Sequence, residues 1–467
     1  MLLPTSPLAR LGAFRAELHA CCTRRADALF ELGDALLCAQ TPLLSLPHLS
    51  LEPVCRRGWG SVYAALARGR IDPERLRDLL VRILPAADPL VFAVDVTTWP
   101  RCDAECSPER GYYYHPSRHS AGQPIIAGWA YQWICQLSFD RDSWTAPVDA
   151  QRLQPLDDTD QQAAVQVRAL LGRLPTGGPV PLVVFDAGYD SAQLSLDLAE
   201  ARVAVLVRLG ADRCFYADPP PQARSPKGGR PRRHGAKFNC ADPATWPTPT
   251  ATLTCQDDQY GTVTVKAWAG LHPKQQRHPG HGSRGPRPIV RGTILRVQVE
   301  RVPAKTRPPK VLWLWWAGPG QLDLDLVWRA YIRRFDLEHT VRFCKQTLGW
   351  TPRGRGTPSR PTAGPGWCWL AMPSCAWPAR SWRMGGCRGS GPDRRGGCHR
   401  HGSAAGFRDF WSGWAPRRPR RNPQGAPQAG PRAAAVGPPY GIRPSRSPPR
   451  RPPRRRPRPP RPPDWQR

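Results

Sequence analysis

Two short runs constrain this chain more than any other feature: VFAVDVTTW, starting at Val91, and VPLVVFDAGYDS, starting at Val180. Each is apolar and rich in β-branched residues around or up to an aspartate, Asp95 or Asp186. A strand this apolar is buried on both faces. An ionised carboxylate on it then needs a metal, a cation or a strong set of hydrogen bonds, because an unpartnered buried charge is too costly. Taken singly, either aspartate is accounted for as a helix cap or turn residue. Together, on neighbouring strands, they form a candidate site.

The surrounding pattern places the pair in an α/β fold. Val91 to Thr97, Ile125 to Phe139 and a stretch around Trp144 to Val148 read as three successive strands forming a meander. Asp158 to Leu174 has a helical period, Val180 to Phe185 is a buried strand, Ser191 to Arg202 a helix and Val203 to Leu209 a further strand. The predicted order is β-β-β-α-β-α-β, completed by a long helix over Asp325 to Leu348. Residues 211–320 break this alternation. They open on the basic loop PPPQARSPKGGRPRRHG and continue with strand-like runs at Thr262 to Ala269, Thr293 to Val302 and Val311 to Trp316, which reads as a β-rich insertion. Arg230, Arg232 and Arg233 of that loop are candidates for contact with a polyanion. Residues 1–87 read as helical. Trp59, Val62, Tyr63 and Leu66 recur at helical spacing, and Asp72-Pro73-Glu74 is a cap followed by proline at the first helical position. Two short helices joined by a tight turn suit a DNA-binding module, although such hairpins also serve as plain packing units.

The net charge of +32 calls for a polyanionic partner or a biased tail. Both apply. From Thr351 onward there are 25 arginines, no lysine and three acids (Asp393, Asp409, Asp464), giving that segment +22. Residues 351–467 lose all helical and strand periodicity and read as a disordered basic tail, yet they carry tryptophans and cysteines that disorder disfavours. A frameshift near residue 352 accounts for this composition, and a true basic tail that binds nucleic acid nonspecifically is the alternative. The other two reading frames of the coding DNA decide between them. No signal peptide or membrane span is visible, so an intracellular chain with free thiols is expected. Cys102, Cys106, His115 and His119 do not fit a common zinc spacing, and no zinc is assigned.

The final helix carries the third candidate. At about 100° per residue, Tyr331, Arg334, Glu338 and Lys345 fall on one stripe beside the apolar face of Leu337, Val341, Cys344 and Leu348. Ion pairs on a solvated helix face explain the charges. The spacing of the four, with two, three and six residues between them, also resembles the signature of a group of DDE-class insertion-sequence transposases. Asp95 on its buried strand and Asp186 in DAGYD match the same pattern, and the resemblance covers about residues 10–352.

The resemblance implies an α/β fold with a ribonuclease-H-like catalytic core over residues 88–210 and 321–350. The β-rich insertion of 211–320 would interrupt it before the last helix, and the helical region of 1–87 would precede it and bind DNA ends. It implies that Asp95, Asp186 and Glu338 are catalytic and hold two Mg²⁺ ions, with Mn²⁺ an alternative, and that Tyr331, Arg334 and Lys345 contact DNA. The implied partners are double-stranded DNA, as inverted-repeat ends and target, and a second copy of the chain when paired on DNA. No membrane is involved, and the implied location is the bacterial cytoplasm, at the nucleoid. The implied activity is strand cleavage and strand transfer. A nuclease that cleaves without joining, or a DNA-binding remnant that no longer transposes, are the alternatives.

Overall fold

The computed structural model describes residues 6–40, 46–100, 109–114, 125–140, 143–221, 232–274, 288–302 and 311–348. Arg230, the Cys102, Cys106, His115 and His119 set and the tail of 351–467 lie outside the described residues. The cysteines that are described are all free thiols. Among the described residues, no helix is long and apolar enough to cross a membrane.

The chain opens with helices α1 (Pro7–Ala20), α2 (Ala26–Cys38), α3 (Leu46–Leu49), α4 (Trp59–Arg68) and α5 (Pro73–Arg82). Strands β1 (Cys22–Arg24) and β2 (Arg70–Ile71) pair antiparallel between them. Asp72 caps α5 by accepting from the amides of Glu74 and Arg75, with Pro73 opening the helix, as its sequence dictates. Leu76, Leu79 and Leu80 bury the inner face of α5.

The next span contains β3 (Val91–Pro100), β4 (Gly111–Tyr114), β5 (Ile125–Gln136), β6 (Ala146–Leu153), α6 (Thr159–Leu171), β7 (Leu182–Phe185), α7 (Ser191–Asp197) and β8 (Ala204–Leu209). Strand β3 is central. It pairs antiparallel with β5 and parallel with β7, which pairs parallel with β8. Both β4 and β6 pair with β5. The strand order β6-β5-β3-β7-β8 thus combines a meander with two parallel crossovers. Helix α6 begins at the cap Asp158.

Strands β9 (Cys214–Tyr216), β10 (Lys237–Asn239), β11 (Ala251–Asp257), β12 (Gly261–Pro273), β13 (Gly292–Val299) and β14 (Val311–Ala317) follow. They extend the same sheet rather than forming a separate layer. Strand β14 pairs antiparallel with β8, then β13 and β12 continue outward, making a mixed sheet of twelve strands. The edge of β8 would otherwise leave a row of unpaired amides and carbonyls. The last described elements are α8 (Leu324–Arg333) and α9 (Phe335–Gln346), two helices where the sequence reads as one. Arg334 between them keeps helical dihedrals but its carbonyl accepts from Leu337, a tightened turn that interrupts the ladder.

Each face of the sheet is covered. Val91, Ala93, Trp133, Cys135, Val184 and Leu206 join Tyr331, Leu337, Val341 and Cys344 of α8 and α9 in one core. Phe92, Val94, Ile134, Val183 and Phe185 join Ala163, Val167 and Leu170 of α6 and Leu194 of α7 in the other.

Candidate active site

Strand register brings the two aspartates together. In the parallel β3–β7 pairing, Ala93 aligns with Val184. Two residues on from that pair the chain reaches Asp95 and Asp186, so the two-residue alternation puts both carboxyls on the face covered by α8 and α9. Helix α9 contributes the third. Asp95 Oδ2 accepts from Arg334 Nη1 at 3.2 Å, and Arg334 Nη2 donates to Glu338 Oε1 at 3.4 Å. One guanidinium therefore bridges the strand carboxylate and the helix carboxylate.

Burial differs along this row. The side chain of Arg334 is 5% exposed, that of Asp95 19% and that of Glu338 45%. Glu338 thus forms the solvent rim and Asp95 the floor. The guanidinium lies 4.8 Å from the Phe335 ring centroid and 5.9 Å from that of Tyr331, so two aromatic faces support a charge that water does not reach. Asp95 Oδ1 accepts from the Val96 amide at 2.9 Å. Even so, burial pushes the Asp95 carboxyl up to about 6; Arg334 pulls it down, and Asp186 and Glu338 push it up again. Asp186 caps its own turn, accepting from the Gly188 amide at 2.9 Å.

Lys345, two turns beyond Glu338, reaches the end of β3. Its Nζ donates to the Thr98 carbonyl at 2.8 Å and to the Thr97 hydroxyl. Burial lowers the ammonium to about 8, and Asp95 acts in the opposite direction. Tyr331 stands apart from its companions. It is fully buried in the core and edge-on to Phe335. Arg232 and Arg233 are exposed ahead of β10, on none of the elements that carry the carboxylates. Trp129 and Trp133 are core residues.

The turn after Asp186 is held from below by residues with no sequence signature. Gln132 of β5 is fully buried, and its Nε2 donates to the Tyr189 hydroxyl at 2.8 Å and to the Thr159 carbonyl at 3.2 Å. Gln166 of α6 donates to Asp149 Oδ2 at 2.8 Å, and Arg77 of α5 donates to Asp149 Oδ1 at 2.6 Å. The only clue in the sequence is an amide side chain inside the apolar run of β5.

Three carboxylates are hard oxygen donors that suit a divalent cation such as Mg²⁺. In this conformation, however, no three His, Cys, Asp or Glu side chains among the described residues stand close enough to hold an ion. The reason is visible for two of them: Arg334 lies between Asp95 and Glu338 and supplies the positive charge itself. The donor chemistry fits a cation.

A family model described as DDE superfamily endonuclease matches residues 17–274, which include Asp95 and Asp186. No curated protein matches the chain. With more than half of its length matched, the chain belongs to the DDE superfamily endonucleases, a class of enzymes acting on DNA.

Proposed function

We propose that this endonuclease is an insertion-sequence transposase with a ribonuclease-H-like core that binds inverted-repeat ends and catalyses strand cleavage and strand transfer. One observation carries the reading: Asp95 and Glu338, distant in sequence, meet across Arg334, and strand register brings Asp186 beside Asp95. The strand order β6-β5-β3-β7-β8 supports the core assignment, because it is the meander plus two parallel crossovers that the ribonuclease-H-like fold requires.

Enzymes of this superfamily generally use divalent ions, and Asp95, Asp186 and Glu338 are the residues that would hold them here. When bound, such ions stabilise charge on the attacking and leaving oxygens of an in-line phosphoryl displacement. The chain's own residues do the rest. A cation held there would favour the ionised form of Asp95. Arg334, attached to Asp95 and Glu338, has a planar fork that would suit bidentate contact with a phosphate. Lys345, anchored at Thr97 and Thr98, presents a point charge at the end of β3. By family resemblance the attacker is first water and then a DNA 3′-hydroxyl. The site would act on the two ends as a pair of protomers on DNA.

The test is a Mg²⁺-dependent assay on the element's own terminal repeats, with Glu338→Gln beside the wild type. Losing a ligand carboxylate is expected to reduce cleavage by about 10²-fold or more, on the scale of removing one strong transition-state contact. Equal cleavage by the two proteins removes Glu338 from the site. Cleavage without joined product supports a nuclease instead of a transposase.

A further inference from the structure

Asp186 has a structural neighbour on each side. In the parallel β7–β8 pairing, Phe185 aligns with Val207, so the next residues across that pair are Asp186 and Arg208. The row across the three parallel strands is therefore Asp95, Asp186, Arg208. Arg208 also lines a crevice at the carboxyl edge of β8, together with Arg213, Lys274 and, from the α7 side of the sheet, Tyr189 and Ser191, so the crevice opens around that edge from the carboxylates. The crevice begins within three residues of Asp186.

Its charge is unbalanced. Arg208, Arg213 and Lys274 make no ion pair with any described residue. The one acid in the lining, Asp190, is committed to capping α7, accepting from the Ala192 and Gln193 amides at 2.9 and 3.1 Å. Ile289 is shared with a second hollow lined by Arg233, Arg291 and Asp218, where Arg291 is paired with Asp218 at 2.8 Å, so the unbalanced charge is that of the first crevice. Cations gathered in a crevice without counter-charge focus a positive potential there.

We infer that this crevice binds backbone phosphates of the DNA strand that runs on past the position cut at Asp95 and Asp186, with Arg208 as its innermost contact. The inference rests on the reading of a DNA-cleaving site at those carboxylates and adds the direction of the strand. Lys345 and Arg334 lie on the β3 side of Asp186, and the crevice lies on the β8 side. Adjacent strands are about 4.8 Å apart, and a DNA strand advances roughly 3.4 Å per phosphate. The crevice is thus a few nucleotides from the scissile bond. Arginine suits the position because its fork matches two phosphate oxygens.

The experiment measures binding of a labelled DNA duplex by the full-length chain, with chelator present to prevent cleavage, across a salt series. Arg208→Glu/Arg213→Glu is compared with Arg168→Glu/Arg202→Glu, which changes net charge equally on the outside of α6 and at the opposite end of β8. Each lost phosphate contact lowers the salt slope by about 0.9. The crevice pair is expected to lose roughly two in slope and about tenfold or more in affinity, and the control pair to keep both. Equal losses in the two pairs overturn the inference, since net charge alone would then explain them. Arg208→Ala/Arg213→Ala, with its thermal midpoint recorded, is expected to show the same slope change, and guards against misfolding of the reversal variant. A wild type that fails to bind the duplex defeats the DNA reading itself. A wild type that binds, beside a crevice pair that binds identically, defeats only the crevice.

Discussion

Asp95 shows how far one residue can conflict with its own fold. Its carboxyl is pushed up to about 6 by burial, from an ordinary 3.8, although Arg334 sits against it. A folded value above the unfolded one means that the protonated form is favoured in the native state. The associated stability is fully present below about pH 4 and is lost as pH rises through 6, on the order of 3 kcal/mol in all. In chelator, the unfolding midpoint of the wild type is therefore expected to fall between pH 4 and 7, and that of Asp95→Asn to stay flatter. A wild type with no such slope would mean that Arg334 neutralises Asp95 completely. The aspartates were legible in the sequence because a carboxylate on a strand buried on both faces is physically conspicuous. Glu338 was legible only through its spacing from Tyr331, Arg334 and Lys345, since a glutamate on a helix rim is ordinary by itself. Arg208 was invisible, because its meaning comes from the pairing of β7 with β8, which no local pattern states. The depth of Tyr331 was not legible for the complementary reason: helical periodicity fixes an angle around the axis, and how far that side of the helix sinks is set by the sheet beneath it.

At the scale of elements, long periodic segments were read well and short ones were not. Strands β3, β5, β8, β12, β13 and β14 follow from their apolar runs. Strands β9 and β10 have three residues each, too few to display a period, and β11 has no buried residue, so it carries no apolar signal. The joining of β14 to β8 was also missed, since nothing in either sequence names its partner. That joint is tightly built. Trp315 of β14 is fully buried, stacks on Phe215 at 5.7 Å and donates from Nε1 to Ser195 Oγ of α7 at 2.9 Å. Its ring also lies over Gly292 of β13, where a Cβ would come within 2.4 Å of Trp315 Cζ2. Gly292→Ala is expected to displace the ring and destabilise the fold by about 1–3 kcal/mol, as overpacking does. An unchanged melting midpoint would mean that the ring has room to tilt.

The molecule as a whole divides by charge. The last part of the sequence, from Thr351, holds +22 of the net +32, while the body that carries the carboxylates is only moderately basic. The row of Asp95, Asp186 and Arg208 has a further consequence for how this protein can change over time. The three share one row because their strands keep a common register, and Asp95 and Asp186 share a face because of the two-residue alternation. Adding or removing a single residue inside β3 or β7 turns a carboxylate to the opposite face, however stable the resulting sheet. The connection between α6 and β7 lies outside these strands, and changes of length there leave the alternation intact. A library of single-residue insertions, scored for DNA cleavage in cells, is expected to show no survivors within 91–95 and 182–186 and many within 175–179. Survivors inside the strands would mean that the site tolerates a change of face. The evolutionary record of such a chain is then one of lengths as much as of residues: free to drift in its connections, and locked in parity along two short strands.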